Sequence, residues 1–452
     1  MSPSRSLWRL ELPYTAVIDT LEHADLDLSL RALRDSLHTY ATTDTVIDTA
    51  DHRLLAWGLQ LSRTAETGEW HLKARGWEPV LPEEQSVLAH DEELPGEFAA
   101  LVHPFRRSGL LGPRLTVDSR HFGFALINSR GRTLAELADA RVTVRVGTRG
   151  ANQYRQVNIT NRALSRDQLE YVLGVFVRAG ATPVSVFPSL PERLGVVIEH
   201  TGLDVDEQSP IDDFVGELFR VGWRRLLFAD LPRRLPAEAG QSTPPDQLRA
   251  ALQALHDSLG GVAPLLRPEF TERFGGDLAA LLADRGQRSI RLSERYFRML
   301  DSLAEARDRV PLQIDPRRAT GPVLRQEIEA AVQVVHDLCS GLDDHALDLR
   351  WERAKVAIDR AAALVHLSRQ VLGKPARTLG NRLAEVAALL DACITVDPRG
   401  LAKDLQGLSA AEIFDAGREY ERAVLSVSYA RRDFVDRWPA LWRRLRRRVL
   451  RP

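Results

Sequence analysis

The chain has 452 residues, 44% of them hydrophobic and 27% charged, with a net charge of −1. That length exceeds one ordinary core and sets an expectation of two domains. The charge balance excludes a globally basic protein without excluding local basic patches. The two cysteines, Cys339 and Cys393, with no CxxC spacing, argue against a disulfide framework or cysteine-ligated zinc.

No apolar run approaches the length that spans a bilayer, and the N-terminus lacks the uninterrupted apolar core of a secretory signal. A cytoplasmic location is the expectation. Residues 7–12 (LWRLEL) form a short candidate strand, and residues 25–40 place leucines and charges at helical spacing. The stretch 46–76 is the most informative and reads as two strands about a polar turn. The first, 54–63, carries Leu54, Leu55, Trp57, Leu59 and Leu61. The second, 70–75, alternates Trp70, Leu72 and Ala74 with His71, Lys73 and Arg75, so a two-residue period sends a row of basic groups to one side. Inside a barrel such a row holds an anion; on an open sheet it is a solvated face.

Residues 77–97 are rich in Pro and Glu and read as a loop, and 97–104 as helix. Strands follow at 115–120, 121–127 and 133–138, the last two separated by the hairpin turn Asn128-Ser129-Arg130-Gly131. Residues 142–146 and 154–160 alternate again. Residues 165–180 read as an amphipathic helix capped at Ser165 and closed at Gly180. A polar, proline-containing linker occupies 201–212. Beyond it the spacing is helical over 210–232, 244–266, 271–284, 288–307, 321–341, 346–372, 374–395, 401–406 and 409–450, the pattern of a helical bundle.

Asp48, Thr49, Leu54, Leu55, Gly58, Leu59, Leu61, Arg63 and the run Trp70 to Lys73 together resemble the CYTH domain of the triphosphate tunnel metalloenzymes. The stretch GRTLAELADARV (131–142) resembles the family segment in which Ala-Glu-Leu precedes paired acids. The resemblance spans roughly residues 7–200. It implies an antiparallel β-barrel whose inward basic side chains hold phosphates. Its inward carboxylates would bind Mg²⁺ or Mn²⁺, hard ions that require oxygen ligands. The matching basic positions here are Arg63, Lys73 and Arg120, and the matching acids are Glu11, Glu136 and Asp139. Other positions of the pattern are depleted. Arg9 and Pro13 flank Glu11, Ala140 follows Asp139, and Gln156, Asn158 and Thr160 replace a strand of alternating glutamates. Ser62, Thr64, Thr116 and Asp118 stand where the family often has arginine.

The second half resembles the CHAD domain, a helical module associated with inorganic polyphosphate, which often follows a CYTH domain. The matches are 292–303, the helix from Arg350, 373–386 and 414–438. A linear polyanion needs cations repeated along one helix face at spacings of three, four or seven. Arg249 and His256 share one such face, and Arg350, Arg353 and Arg360 share another, opposite Ile358. Here too the lining is thinned. Asp246, Gln253, Ala254, Ala357 and Ile358 replace expected basic residues, and the Leu-Gly-x-x-Arg-Asp stretch is missing between 262 and 290. His336, His345 and His366 read as surface or core residues. From Arg431 to Pro452 there are nine arginines and two aspartates, a tail suited to polyphosphate, nucleic acid or an acidic membrane.

The resulting expectation is α+β: a CYTH-like β-barrel over 1–205 and a CHAD-like helical domain over 209–452. It would be a non-catalytic binder of polyphosphate or another polyanion, the alternative being a Mg²⁺- or Mn²⁺-dependent triphosphatase or related phosphohydrolase.

Overall fold

The computed structural model describes residues 7–35, 37–89, 93–147, 149–196, 204–235, 247–284, 290, 293–394 and 409–447. They fall into two compact units, one of the described residues up to 196 together with 230–235, the other of 204–229 and the described residues from 247. The helix expected at 401–406 and the arginines Arg448 and Arg451 lie outside the described residues.

The first unit is an antiparallel sheet of ten strands: β1 (Leu7–Leu12), β2 (Ser29–Leu33), β3 (Tyr40–Asp48), β4 (Leu59–Thr64), β5 (Glu69–Ala74), β6 (Glu84–Leu88), β7 (Gly112–Ile127), β8 (Thr133–Val146), β9 (Arg149–Asn161) and β10 (Thr182–Pro183). Its order is β10-β1-β9-β8-β7-β3-β4-β5-β6, with β2 on β7. The two strands expected on either side of Arg120 are one strand of 16 residues, and those on either side of Ala140 are one of 14, because the pairing register runs through both joins without a shift. Residues 25–40, expected to be helical, instead supply β2 and the start of β3, and β6 lies in the expected loop.

The helix expected at 97–104 is present as α2 (Gly96–Arg106), and two further helices lie on the faces of the sheet. One face packs Leu10, Leu12, Leu137, Val157 and Ile159 against Val172, Val175 and Phe176 of α3 (Arg166–Arg178). Ser165 and Gln168 close a capping box at its start, as the sequence indicates. The opposite face buries Val46, Leu115, Val117, Val142 and Val144 with Leu190 of the short helix α4 (Leu190–Arg193).

Closure by strand pairing was expected, but the pairing path is open, ending at β10 and β6. β10 has two residues, one of them a proline with no N–H to donate, so it cannot extend a ladder beyond β1. Residues 184–196 cross the α4 face instead. The Val184 N–H donates to the Arg9 carbonyl at 3.0 Å, Asn152 Nδ2 donates to the Arg193 carbonyl at 2.8 Å, and Arg75 Nη1 reaches the Phe187 carbonyl at 3.4 Å.

The run expected to be a strand from Leu54 begins instead with a one-turn helix, α1 (Arg53–Ala56), and β4 starts only at Leu59. Asp48 builds this corner. Its Oδ1 accepts the N–H groups of Thr49 (2.6 Å) and Leu54 (2.9 Å), and its Oδ2 accepts that of Leu55 (3.0 Å). Asp48 has no exposed surface, and burial raises its carboxyl above the usual aspartate range against the pull of these amides. The turn leaves through Gly58 at φ +74°, a conformation that favours glycine. Asp48→Ala would strand three amides in the core and is expected to cost about 3 kcal/mol, read from urea denaturation midpoints. A loss within experimental error would show that water satisfies those groups.

Among the described residues the second unit contains α5 (Ile211–Asp230), α6 (Gln247–Val262), α7 (Pro268–Ala283), α8 (Glu294–Asp308), α9 (Thr320–Ser340), α10 (Asp348–Leu367), α11 (Arg369–Asp391, broken at Gly373) and α12 (Ala410–Arg446). Leu248, Leu252, Leu255 and Leu259 recur at helical spacing and are buried. Trp223, Phe274, Tyr296, Trp351 and Phe434 fill the interior. At Gly261 a Cβ would come within 2.9 Å of the Leu364 backbone nitrogen, so the close packing of α6 on α10 requires glycine there.

Candidate anion site and the predicted ligands

Strand register fixes which side chains share a face. Glu11 pairs with Gln156, which pairs with Ala140, and Glu136 pairs with Thr160. Glu11, Glu136, Gln156, Asn158 and Thr160 therefore lie on the α4 face, together with His71 and Lys73. Asp139 is one residue out of phase with Glu136 and Ala140 and lies on the α3 face with Leu137. Arg63, opposite Thr45, and Arg120, opposite Arg141, also lie on that opposite face. The three acids that the resemblance matches to metal ligands are thus divided between two faces, as are the three basic residues. On β4 the α4-face positions are Gln60, Ser62 and Thr64, the last two buried.

Each acid has an arginine. Arg193 Nη1 donates to Glu11 Oε1 at 2.7 Å, and its guanidinium stacks 3.7 Å from the Tyr154 ring centroid. Arg162 Nη2 donates to Glu136 Oε2 at 2.7 Å. Arg155 grips Asp139 with two bonds, Nε to Oδ1 at 2.8 Å and Nη2 to Oδ2 at 2.5 Å, both side chains more than nine-tenths buried. Among the described residues no group of three or more His, Cys, Asp or Glu side chains is placed to hold a metal.

The cations of the α4 face are compensated in the same way. Lys73 Nζ lies 3.5 Å from Glu84, and Arg9 Nη1 is spent on the Ser185 carbonyl at 2.8 Å. Burial pushes His121 below the usual histidine range, so it adds no charge near neutrality. A multiply charged phosphate chain needs a surplus of cations, and among the described residues the cations of this face are already engaged.

Arginines 155, 162 and 193 were not singled out from the sequence. Arg155 left a signal: in β9 it occupies the same face as Val157 and Ile159, and an arginine in an apolar row calls for a buried partner. Arg193, in a short helix after a loop, left none.

In the helical unit the candidates also separate. Arg249 donates from Nη1 to the Leu282 carbonyl and from Nη2 to the Asp284 carbonyl, tying off the C-terminal end of α7. His256 is half exposed, with Nδ1 at 3.7 Å from Asp257. Arg350, Arg353 and Arg360 are exposed on α10, beside a buried stripe that includes Trp351, Ala354, Ile358, Ala361 and Leu364. Among the described residues none of the three forms an ion pair. Ten residues of helix separate the first from the last, about 15 Å along the axis. His336 stacks on Trp442 with centroids 4.0 Å apart, while His345 is exposed. At the end of α12, Trp438, Leu441 and Leu445 are buried and Arg443, Arg444, Arg446 and Arg447 are exposed, a placement that also suits the helix dipole.

No protein-family model matches the chain, and no curated protein matches it in sequence. Among solved structures, a CHAD domain from the plant Ricinus communis is similar at 14% identity, covering 56% of this chain and 96% of that one, with a TM-score of 0.29. A Bacillus halodurans protein described as a "putative adenylate cyclase" is similar at 8% identity, covering 37% and 96%, with a TM-score of 0.19. At these scores neither likeness carries an argument for function.

Proposed function

We propose that this chain is a non-catalytic, cytoplasmic polyanion-binding protein in which a divergent CYTH-like sheet precedes a CHAD-like helical unit. Inorganic polyphosphate, or another linear polyanion, is held by the helical unit. One observation carries the reading: Glu11, Glu136 and Asp139 are each engaged by an arginine, whereas Arg350, Arg353 and Arg360 are exposed on one helix face and form no ion pair among the described residues. Metal-dependent hydrolysis would require those three acids to meet on one face. Among the described residues no helix is long and apolar enough to cross a membrane.

Binding of this kind is driven by release of counterions, so it needs no metal and weakens steeply with salt. The full chain is expected to retain long-chain polyphosphate in excess EDTA. With three phosphate contacts, affinity should fall roughly tenfold or more between 50 and 200 mM salt, by the relation between contacts and salt slope. Retention only with Mg²⁺ or Mn²⁺, or a flat salt response, would contradict the proposal. Replacing Arg443, Arg444, Arg446 and Arg447 by glutamine tests attachment of nucleic acid or an acidic membrane through the tail. Substitution is preferable to truncation because Leu445, in the same segment, is buried.

A further inference from the structure

The α3 face holds a feature that the polyanion reading leaves unused. A cavity of about 450 Å³ lies between the sheet, α3 and the segment around residues 18–21, walled by Leu30, Phe122, Phe124, Leu137, Val157 and Phe176. A second cavity of about 350 Å³ is lined by Tyr14, the residues 15–18, Arg141 and Arg155. Ile18, Arg141 and Arg155 line both, so the two adjoin. The first volume is in the range of small-molecule sites, about 300–1,000 Å³, which combine an apolar wall with a few polar groups.

Charge differs between the two. Arg155 is fully committed, to Asp139 through Nε and Nη2 and to the Ala16 carbonyl through Nη1 at 2.8 Å. That pair is neutral as a unit. Arg141 is exposed and lies 5.7 Å from the Phe122 ring centroid, with no ion pair among the described residues. Arg120 stands directly opposite it on β7, also exposed. Tyr14 brings a hydroxyl, 3.3 Å from Thr143 Oγ1. Asp19, an exposed carboxylate, lines only the apolar cavity and repels an anion from that end.

We propose that the double cavity binds a small amphipathic anion, an unbranched apolar chain with one anionic head. The chain occupies the space against Phe122, Phe124 and Phe176, and the head lies in the second cavity between Arg141 and Tyr14. This site is separate from the helical arginines and does not depend on the polyanion proposal.

The experiment is calorimetric titration of the full chain with decanoate and, at equal chain length, decanol. Decanoate is expected to bind at least tenfold more tightly than decanol. Arg141→Glu, at an exposed position, is expected to remove that preference while leaving decanol affinity unchanged. Leu30→Trp, which fills the apolar cavity, is expected to abolish binding of both, with the fold checked by circular dichroism. Failure of the unaltered chain to bind decanoate, equal affinity for the two probes, or a preference that Arg141→Glu leaves intact would each overturn the assignment.

Discussion

Arg155→Ala is expected to destabilise the sheet unit by about 3–5 kcal/mol, the cost of leaving a buried carboxylate without its partner. Arg155 and Asp139 are 4% and 7% exposed, joined by two parallel hydrogen bonds, and the remaining guanidinium nitrogen holds the Ala16 carbonyl. Removing the arginine strands the Asp139 charge among Leu137, Val157 and Phe176 and frees the segment from residue 14 onward. Domain stabilities are of order 5–15 kcal/mol, so the loss is a large fraction of the total. The double variant Arg155→Met, Asp139→Leu is expected to recover most of it, since an apolar replacement avoids the desolvation that the ion pair incurs. Urea denaturation of the single and double variants checks both. A single variant as stable as the parent would mean that Asp139 is hydrated and available as a ligand.

Replacing Arg350, Arg353 and Arg360 together by alanine is expected to lower polyphosphate affinity by at least 10²-fold at low salt. It should also flatten the dependence of log affinity on log salt by about 2, three contacts at roughly 0.7 each on the single-strand scale. The three residues are exposed, so the loss should come with an unchanged thermal midpoint. Equal affinity and equal slope in the variant would remove this face as the polyphosphate site and turn attention to the exposed arginines at the end of α12.

Much of the architecture was legible in the sequence because the pattern was periodic. The alternation of Trp70, Leu72 and Ala74 with His71 and Lys73 becomes a buried and an open side of β5, and Ser165 caps its helix. Errors arose where a strand could not be counted through. The adjacent leucines at 54 and 55 break the alternation and form the turn that Asp48 holds, so Arg63 could not be placed on a face by counting from Leu54.

The fate of the acids was less legible still. Glu11 meets Arg193 across 182 positions of sequence, and only the crossing of residues 184–196 over the sheet brings them together. Glu136 and Asp139, three apart, look like one cluster in the sequence. Register separates them, since an odd separation in a strand means opposite faces. The α10 arginines could be grouped from helical spacing alone, because an exposed helix face needs no knowledge of partners.

Arginines hold Glu11, Glu136 and Asp139, the carboxylates that would otherwise recruit a divalent ion. Phosphate release from inorganic triphosphate by the full chain, with Mn²⁺ or Mg²⁺ present and then chelated, tests this most directly. No metal-dependent release above the protein-free rate is expected, and no change on Glu136→Gln. Release that requires the metal and is lost in Glu136→Gln would contradict it.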